Sequence, residues 1–488
     1  VAAFITLVPL WYLVTHSLSR GLQPFLDEVF QERTMTLIIR STVLVSAVTL
    51  MSAVIGTFTA WVVTLSGVRG RLPLTIVFSL PLAIPSYLSA FAWISWKPEL
   101  SGFWGSFIVL TFACYPYVML PVSAAMSRLD PVHEDIARTM GRSTLGIFRE
   151  VVLPQLRRSI TSGSLLVALY AFSDFGAVAA MRHEVFTWVI YGAYRAGFNP
   201  TRAASLSVVL VIAALALTYA ESITRGRDDS SKKGTTSRRR RRNTSWPFVI
   251  FTSIGTLVVV IPGVVVPVVN IASWLGRSSS RSIDWSSVFS ATGQSFLNGS
   301  VTAFATLLLA LPVAWSAVRL RGKLAVIPER LTYITHSLPG IVVAISVVYV
   351  GIRVARPWYQ EFPLLIFGQV IIFLPVMTAS LRVAFEKTPL ALEEVAHSLG
   401  VSKISTLLRV SLPIALPGIL AGSALSMLAA VKELPVTLLL RPTGMDRLVG
   451  PAPLQQVLAY PTDVGLAAAS ALTSNLILRR PSLRIAFS

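Results

Sequence analysis

Long apolar runs alternate with short polar loops along the whole chain, and the runs set the expected architecture. About twelve stretches are nearly free of charge: 2–16, 41–65, 73–95, 103–126, 160–181, 203–221, 247–270, 299–318, 327–352, 363–385, 415–440 and 463–478. Most have the ~20 residues with which a helix crosses a hydrocarbon core of ~30 Å. A transmembrane β-barrel needs ~10-residue segments of alternating polarity, and these runs are continuous and too long for that. The pattern predicts an all-α polytopic membrane protein of about twelve transmembrane helices. The first run is short, but no small-residue cleavage site follows it, and Trp11 and Tyr12 suit an interfacial anchor. It reads as a spanning helix whose cytoplasmic lead-in precedes this sequence.

Composition agrees: 54% of residues are hydrophobic, 13% are charged and mean hydropathy is +0.69, more apolar surface than one soluble core hides. A formal charge of +20 would suggest nucleic acid for a soluble protein. Here the placement of charge matters more. With the N-terminus inside, the loops between helices 2–3, 4–5, 6–7, 8–9 and 10–11 and the C-terminal tail hold most of the 42 Lys and Arg. That puts both termini in the cytoplasm and leaves no call for a nucleic-acid partner. Residues 223–246 are polar and include five consecutive arginines, Arg238 to Arg242, which cannot bury enough surface to fold, so they read as a basic cytoplasmic linker. The single cysteine, Cys114, reads as a small buried apolar residue.

The linker separates two similar halves, 1–222 and 247–488. Glu134 to Pro154 (EDIARTMGRSTLGIFREVVLP) overlays Glu393 to Pro413 (EEVAHSLGVSKISTLLRVSLP) at an offset of 259 without a gap. Pro116 answers Pro375, and FSDFGA, Phe172 to Ala177, answers VKELPV, Val431 to Val436, at the same offset. Ser79 to Pro81 (SLP) is matched with Ser337 to Pro339 (SLP). Each half holds an even number of spans, so the two copies share one membrane orientation, a parallel repeat of six helices.

The repeated polar loops, 128–158 and 386–414, have a distinct local logic. A short helix with acids in its first turn, Glu134 and Asp135 or Glu393 and Glu394, fits the helix dipole. Gly141 and Gly400 then supply a position with positive φ that ends the helix. An amphipathic segment follows and runs to Pro154 or Pro413, where the next helix opens. Two rigid helix-glycine-helix elements on one face suit a partner that is itself two-fold.

The pattern E-x-x-A-x-x-x-G with a distant L-P resembles the EAA loop of ATP-binding-cassette importer permeases. The stretches Ser173 to Tyr194 and Lys432 to Gly444 are similar to those of fused, two-half permeases of the iron(III) importer family. The resemblance implies the type I importer permease fold and ATPase coupling through Glu134, Asp135, Ala137, Gly141, Glu393, Glu394, Ala396 and Gly400. It also implies two cytoplasmic ATPase subunits, an extracytoplasmic solute-binding protein and a bacterial inner-membrane location. Rocking of two bundles then exposes the pathway alternately to each side. The solute stays open between iron(III), thiamine, polyamines and phosphonates, in that order.

Ionisable groups inside spans cost ~3 kcal/mol at a helix centre, so each is a functional candidate. Asp174 sits ~21 Å from the inner end of its span, and Lys432 and Glu433 sit at the matching depth of the eleventh. Ser173, Asp174, Lys432 and Glu433 are therefore candidates for the translocation pathway, the acids as oxygen donors to a hard cation. The alternative is structural: Gly176 and Pro435 suggest helix breaks whose freed N–H groups the acids satisfy, or the acids pair with Lys432. Ser86, Tyr87, Tyr115 and Tyr117, near prolines, are further polar candidates, though tyrosines there also serve as anchors or packing. His133, His183, His336 and His397 are scattered, so no metal site is expected, and no cofactor.

Nothing resembles G-x-x-x-x-G-K-[ST], so ATP hydrolysis is expected on a separate chain, and no paired carboxylates or nucleophile-base set points to an enzyme. An ion-coupled secondary transporter is the runner-up. Its spans should carry more acids than these do, and it gives no reason for two EAA-like loops.

Overall fold

A computed structural model describes residues 2–64, 71–195, 199–225, 246–277, 285–320 and 323–442, and every regular element among them is helical. The first half comprises α1 (Ala2–Ser17), α2 (Leu22–Val29), α3 (Glu32–Thr64), α4 (Arg71–Ser79), α5 (Ser86–Trp96), α6 (Phe103–Cys114) and α7 (Pro116–Met126). It continues through α8 (Pro131–Thr139), α9 (Thr144–Ile147), α10 (Leu153–Ser173), α11 (Gly176–Ala180), α12 (Phe186–Arg195) and α13 (Pro200–Arg225). The second half holds α14 (Trp246–Val260), α15 (Val266–Arg277), α16 (Trp285–Arg319), α17 (Lys323–His336), α18 (Gly340–Arg353) and α19 (Phe362–Glu386). It ends with α20 (Leu390–Ser398), α21 (Lys403–Thr406), α22 (Leu412–Lys432) and α23 (Pro435–Leu440).

The first eleven apolar runs lie on these helices; the twelfth, 463–478, and most of the basic linker lie outside the described residues. Among the described residues seven segments are long and apolar enough to cross a membrane unaided. An eighth is a broken pair, Leu72–Leu82 and Ser86–Trp96, bent by 86°. Proline explains the bend: Pro81 and Pro85 lack N–H donors and push the residues before them out of the helical region.

The repeat is visible at the level of single elements. Helices α8, α9 and α10 match α20, α21 and α22 residue for residue at the offset of 259, and so do the π turns before α10 and α22, Phe148–Val152 and Leu407–Ser411. One correspondence shifts. Pro85 caps α5 with φ −57° and ψ 138°, and Pro339 caps α18 with φ −58° and ψ 139°. The second SLP therefore answers Pro85, not the first SLP, because Pro81 sits in an additional 3-10 turn, Leu80–Leu82, upstream of the cap.

Each bundle packs around long helices, α3 with α7 and α10 in the first half and α16 with α19 and α22 in the second. Small residues let the backbones approach where lipid offers no hydrophobic drive between helices. A Cβ on Gly163 of α10 would lie 2.8 Å from Val118 Cα and 2.9 Å from the Tyr117 carbonyl oxygen, both backbone atoms of α7. Gly163→Val is therefore expected to force the helices apart at a cost of about 1–3 kcal/mol, read as a lower melting temperature in detergent. Unchanged melting would mean that the α7–α10 contact is looser than the geometry indicates.

The opening helix of each half packs on the other half. Helix α1 lies against α17 and α18 as well as α13, and α15 lies against α5. The indole nitrogen of Trp93 on α5 donates to the Pro262 carbonyl, 3.3 Å. This exchange corrects the reading of Tyr12 as an interfacial anchor: it is 1% exposed, with its ring 5.1 Å from that of Tyr349 in α18. Cys114 is fully buried, as its apolar surroundings required.

Candidate functional site: paired helix breaks around a shared cavity

Helices α10 and α22 each run 21 residues, about 30 Å, and then stop at the same repeat position. The residue after each last turn is an acid, Asp174 with φ −66° and ψ 129° and Glu433 with φ −67° and ψ 127°. A short helix resumes two residues later, and its first N–H groups have no helical partners of their own. The acids take them up. Asp174 Oδ1 accepts from the Ala177 N–H at 2.8 Å; Glu433 Oε1 and Oε2 accept from Val436 at 2.8 Å and Thr437 at 3.0 Å. The helix breaks anticipated at Gly176 and Pro435 are thus present, and both carboxylates cap them.

These breaks meet the proline-capped breaks before α5 and α18, and a cavity of about 290 Å³ lies among them, lined by both halves. All four sequence-predicted pathway residues, Ser173, Asp174, Lys432 and Glu433, line it. Ser86, Tyr87 and Tyr117 line it too, with Tyr170 added. Tyr115 does not; it is buried, and its hydroxyl donates to the Phe78 carbonyl at 2.8 Å. Its ring reaches α4 instead, where Phe78 lies.

The two halves hold their acids differently. The Ser86 hydroxyl donates to Asp174 Oδ2 at 2.5 Å, tying α10 to the capped start of α5. In the second half the corresponding cap is followed by Gly340, which offers no hydroxyl, and Glu433 instead accepts from the Thr437 hydroxyl at 3.1 Å. Lys432, whose counterpart is Ser173, donates to the Leu82 carbonyl in the other half at 2.7 Å. That carbonyl is free to accept because the 86° bend removes it from a helical ladder.

The repeated loops share one geometry at the far end of α10 and α22. Gly141 and Gly400 both have φ +79°, and the next residue donates back across the helix end, Arg142 to the Ala137 carbonyl at 3.2 Å and Val401 to that of Ala396 at 3.0 Å. This is the αL-terminated helix end that glycine favours. Ala137 and Ala396 are both 8% exposed. Ile136 and Met140 in one loop and Val395 and Leu399 in the other are exposed, at matching positions. Through α9 and α21 and the π turns the loops run without a break into α10 and α22, so each loop is a stiff extension of a helix that ends at the cavity.

The acids of the loops divide by environment. Asp135 forms a 3.8 Å exposed pair with Arg138, worth little, and Glu394 is exposed. Glu134 is partly buried. Glu393 is 8% exposed and turned inward: it pairs with Arg319 at 2.9 Å and accepts from the Ser411 hydroxyl at 2.7 Å. Arg319 also donates to the carbonyls of Phe385 and Thr388, so this carboxylate fastens the second loop to α16 and α19. Nearby, Glu329 and Arg382 sit inside apolar runs and pair at 2.6 Å, with Arg382 reaching Glu386 as well. Their position in otherwise apolar runs marks them in the sequence, but only the packing identifies each as the other's partner.

Comparison with known proteins gives the arrangement a lineage. The profile of the family described as binding-protein-dependent transport system inner membrane component matches twice, at residues 31–224 and 306–478. The Fe(3+)-transport system permease protein FbpB 2 of Haemophilus influenzae is 32% identical over 90% of this chain and 88% of its own length. The sulfate transport system permease protein CysT of Salmonella typhimurium is 27% identical, covering 34% of this chain and 68% of its own length. The spermidine/putrescine transport system permease protein PotC of Haemophilus influenzae is 24% identical over 25% of this chain and 49% of its own. Members of this family are transport subunits, not enzymes, and work with ATPase and binding-protein partners. With two matched repeats on an all-helical, multi-pass chain and a cavity between them, this protein belongs to the binding-protein-dependent transport system inner membrane components, as a fused two-half permease of the ATP-binding-cassette importers.

Proposed function

We propose that this chain forms the translocation pathway for iron(III) in such an importer. The observation that carries the reading is the cavity shared by the two halves, where Asp174 and Glu433 stand at symmetric helix breaks among the hydroxyls of Ser86, Tyr117 and Tyr170. A hard trivalent cation favours oxygen donors of this kind. Similarity across nearly the whole chain to a relative that is named for Fe(3+) transport supports the same solute. The division into halves 1–222 and 247–488 about a cytoplasmic linker at 223–246, and the cytoplasmic placement of both termini, belong to this reading.

The two loops are its drive. Each docks one of two ATPase subunits through the face that carries Ile136 and Met140 or Val395 and Leu399, with Glu134, Asp135, Ala137, Gly141, Glu393, Glu394, Ala396 and Gly400 setting the shape of that face. Because α10 and α22 connect loop to cavity, a displacement of the loops reaches Asp174 and Glu433 directly. For a near-complete switch the ATPase must favour one arrangement by ~5.5 kcal/mol. An extracytoplasmic binding protein delivers the solute.

The ammonium of Lys432 in the same cavity favours a second reading, an oxyanion such as sulfate, and relatives named for sulfate transport match a third of the chain. Uptake of labelled iron(III) by cells with and without this chain, with sulfate, thiamine and spermidine in parallel and ATP depleted in a matched sample, decides between them. ATP-dependent loss of iron uptake alone is the expected result. Loss confined to sulfate would transfer the assignment to the oxyanion, and uptake that follows the ion gradient without ATP would overturn the importer mechanism.

A further inference from the structure

We infer that Gln369 is a positioning residue for transport, holding the Glu433 carboxylate at the cavity through Thr437. Four side chains from three helices form one directed chain. The Asn298 amide and the Thr302 hydroxyl, both on α16, donate to Gln369 Oε1 at 3.0 and 2.7 Å. Gln369 Nε2, on α19, donates to Thr437 Oγ1 at 3.3 Å, and the Thr437 hydroxyl, on α23, donates to Glu433 Oε2 at 3.1 Å. Asn298, Thr302, Gln369 and Thr437 are all 0% exposed. Polar groups so deep in apolar spans are costly and call for a purpose.

The direction of the chain follows from its end. With the Thr437 hydroxyl donating to Glu433 Oε2, the Thr437 oxygen accepts from its other neighbour. The amide end of Gln369 supplies that donor, which leaves its carbonyl for the two donors on α16. The orientation of each group is thus set by chemistry, and successive donors of this kind reinforce one another.

The first half shows what the chain replaces. At the repeat positions of Gln369 and Thr437 stand Leu110 and Val178, neither of which can hydrogen-bond through its side chain. Asp174 has its side-chain donor from Ser86 instead. In the second half that position is Gly340, and the donor comes from Thr437 with Gln369 behind it. One acid is tied to the broken span beside it, the other to the scaffold helices α16 and α19. The two walls of the cavity are therefore held by different means.

This inference rests on the proposed pathway role of Glu433, and the test separates the two. Uptake and solute-stimulated ATP hydrolysis are measured for the full permease–ATPase complex, normalised to complex recovered from the membrane, for Gln369→Leu, Glu433→Gln, the double variant and Gln369→Leu with Gly340→Ser. Loss of one hydrogen bond of about 1 kcal/mol at the site corresponds to roughly a fivefold fall in rate, which is the effect expected for Gln369→Leu. If Gln369 acts through Glu433, adding Gln369→Leu to Glu433→Gln lowers the rate no further.

Gly340→Ser is expected to restore most of the rate to Gln369→Leu, because a Cβ there lies 3.6 Å from Glu433 Oε1, where a hydroxyl repeats the arrangement of Ser86. A purely structural Gln369 would give losses that multiply and no rescue, and either result overturns the inference while leaving Glu433 in the pathway. Wild-type rates for Glu433→Gln would remove Glu433 from the pathway, and the inference with it.

Discussion

A Gly141→Val, Gly400→Val double variant is expected to reach the membrane folded and to lose ATP-coupled uptake almost completely. Both glycines hold φ +79°, a backbone region that costs an ordinary L-residue about 1–2 kcal/mol and a β-branched one more. Space is not the obstacle, since a Cβ at either position meets nothing within 4 Å. The strain is purely conformational, and the chain relieves it by changing the turn. That turn sets the angle between α8 and α9 in one loop and between α20 and α21 in the other, and with it the presentation of Met140 and Leu399. The ATPase then meets a surface of the wrong shape in both halves.

Two measurements together check this. Co-purification of the ATPase with the variant should fall, and the hydrolysis that remains should no longer respond to loaded binding protein. Gly→Asn at both positions is the conservative control, because Asn tolerates the left-handed region and should retain more coupling than Val. Wild-type transport by the Val double variant would remove the loops from the coupling role proposed here.

Removal of either cavity acid is the second large effect. Asp174→Ala and Glu433→Ala are each expected to cut uptake by at least an order of magnitude. Each strips the cap from a helix that restarts inside the membrane, where a lost charge-assisted hydrogen bond is worth about 1.5–3 kcal/mol and no bulk water replaces it. Each acid accepts from N–H groups at the start of the helix that follows it, so α11 and α23 should both be disturbed. Asp174→Asn and Glu433→Gln keep an acceptor for those N–H groups but lose the charge. On the pathway reading they assemble at normal yield with their ATPase and still transport iron poorly. Normal uptake by both would reduce the acids to helix caps, a role the geometry already demonstrates.

Asp174 and Glu433 owe part of their likeness to the repeat and part to contacts outside it. The offset of 259 placed both at one depth, and the structure returns them with backbone angles that agree within 2°. The same offset carried the glycine turns, the π turns and the lengths of α10 and α22. It failed at the proline breaks, where three identical letters, SLP, drew the match to Pro81 although the conformational counterpart of Pro339 is Pro85. Identity of letters is a weaker guide there than the torsion a cap requires.

What the sequence by itself determined is local or periodic: spans from apolar length, shared orientation from an even number of spans, positive φ from glycine, helix breaks from Pro and Gly, and candidate polar residues from their rarity in apolar runs. These follow from forces that act within a few residues or that every span feels equally from the membrane. Only the tertiary structure decided that α1 and α15 pack on the opposite half, that Lys432 reaches the Leu82 carbonyl, and that Glu393 turns inward to Arg319 rather than outward. It also decided that Gln369, one amide among 25 residues of α19, lies between Asn298 and Thr437. Those pairings join residues 68 to 350 positions apart, and in an apolar medium nearly any face of a helix can be buried or left to lipid at similar cost. Which faces meet is settled by close packing of whole helices, a property that no single stretch of the chain possesses.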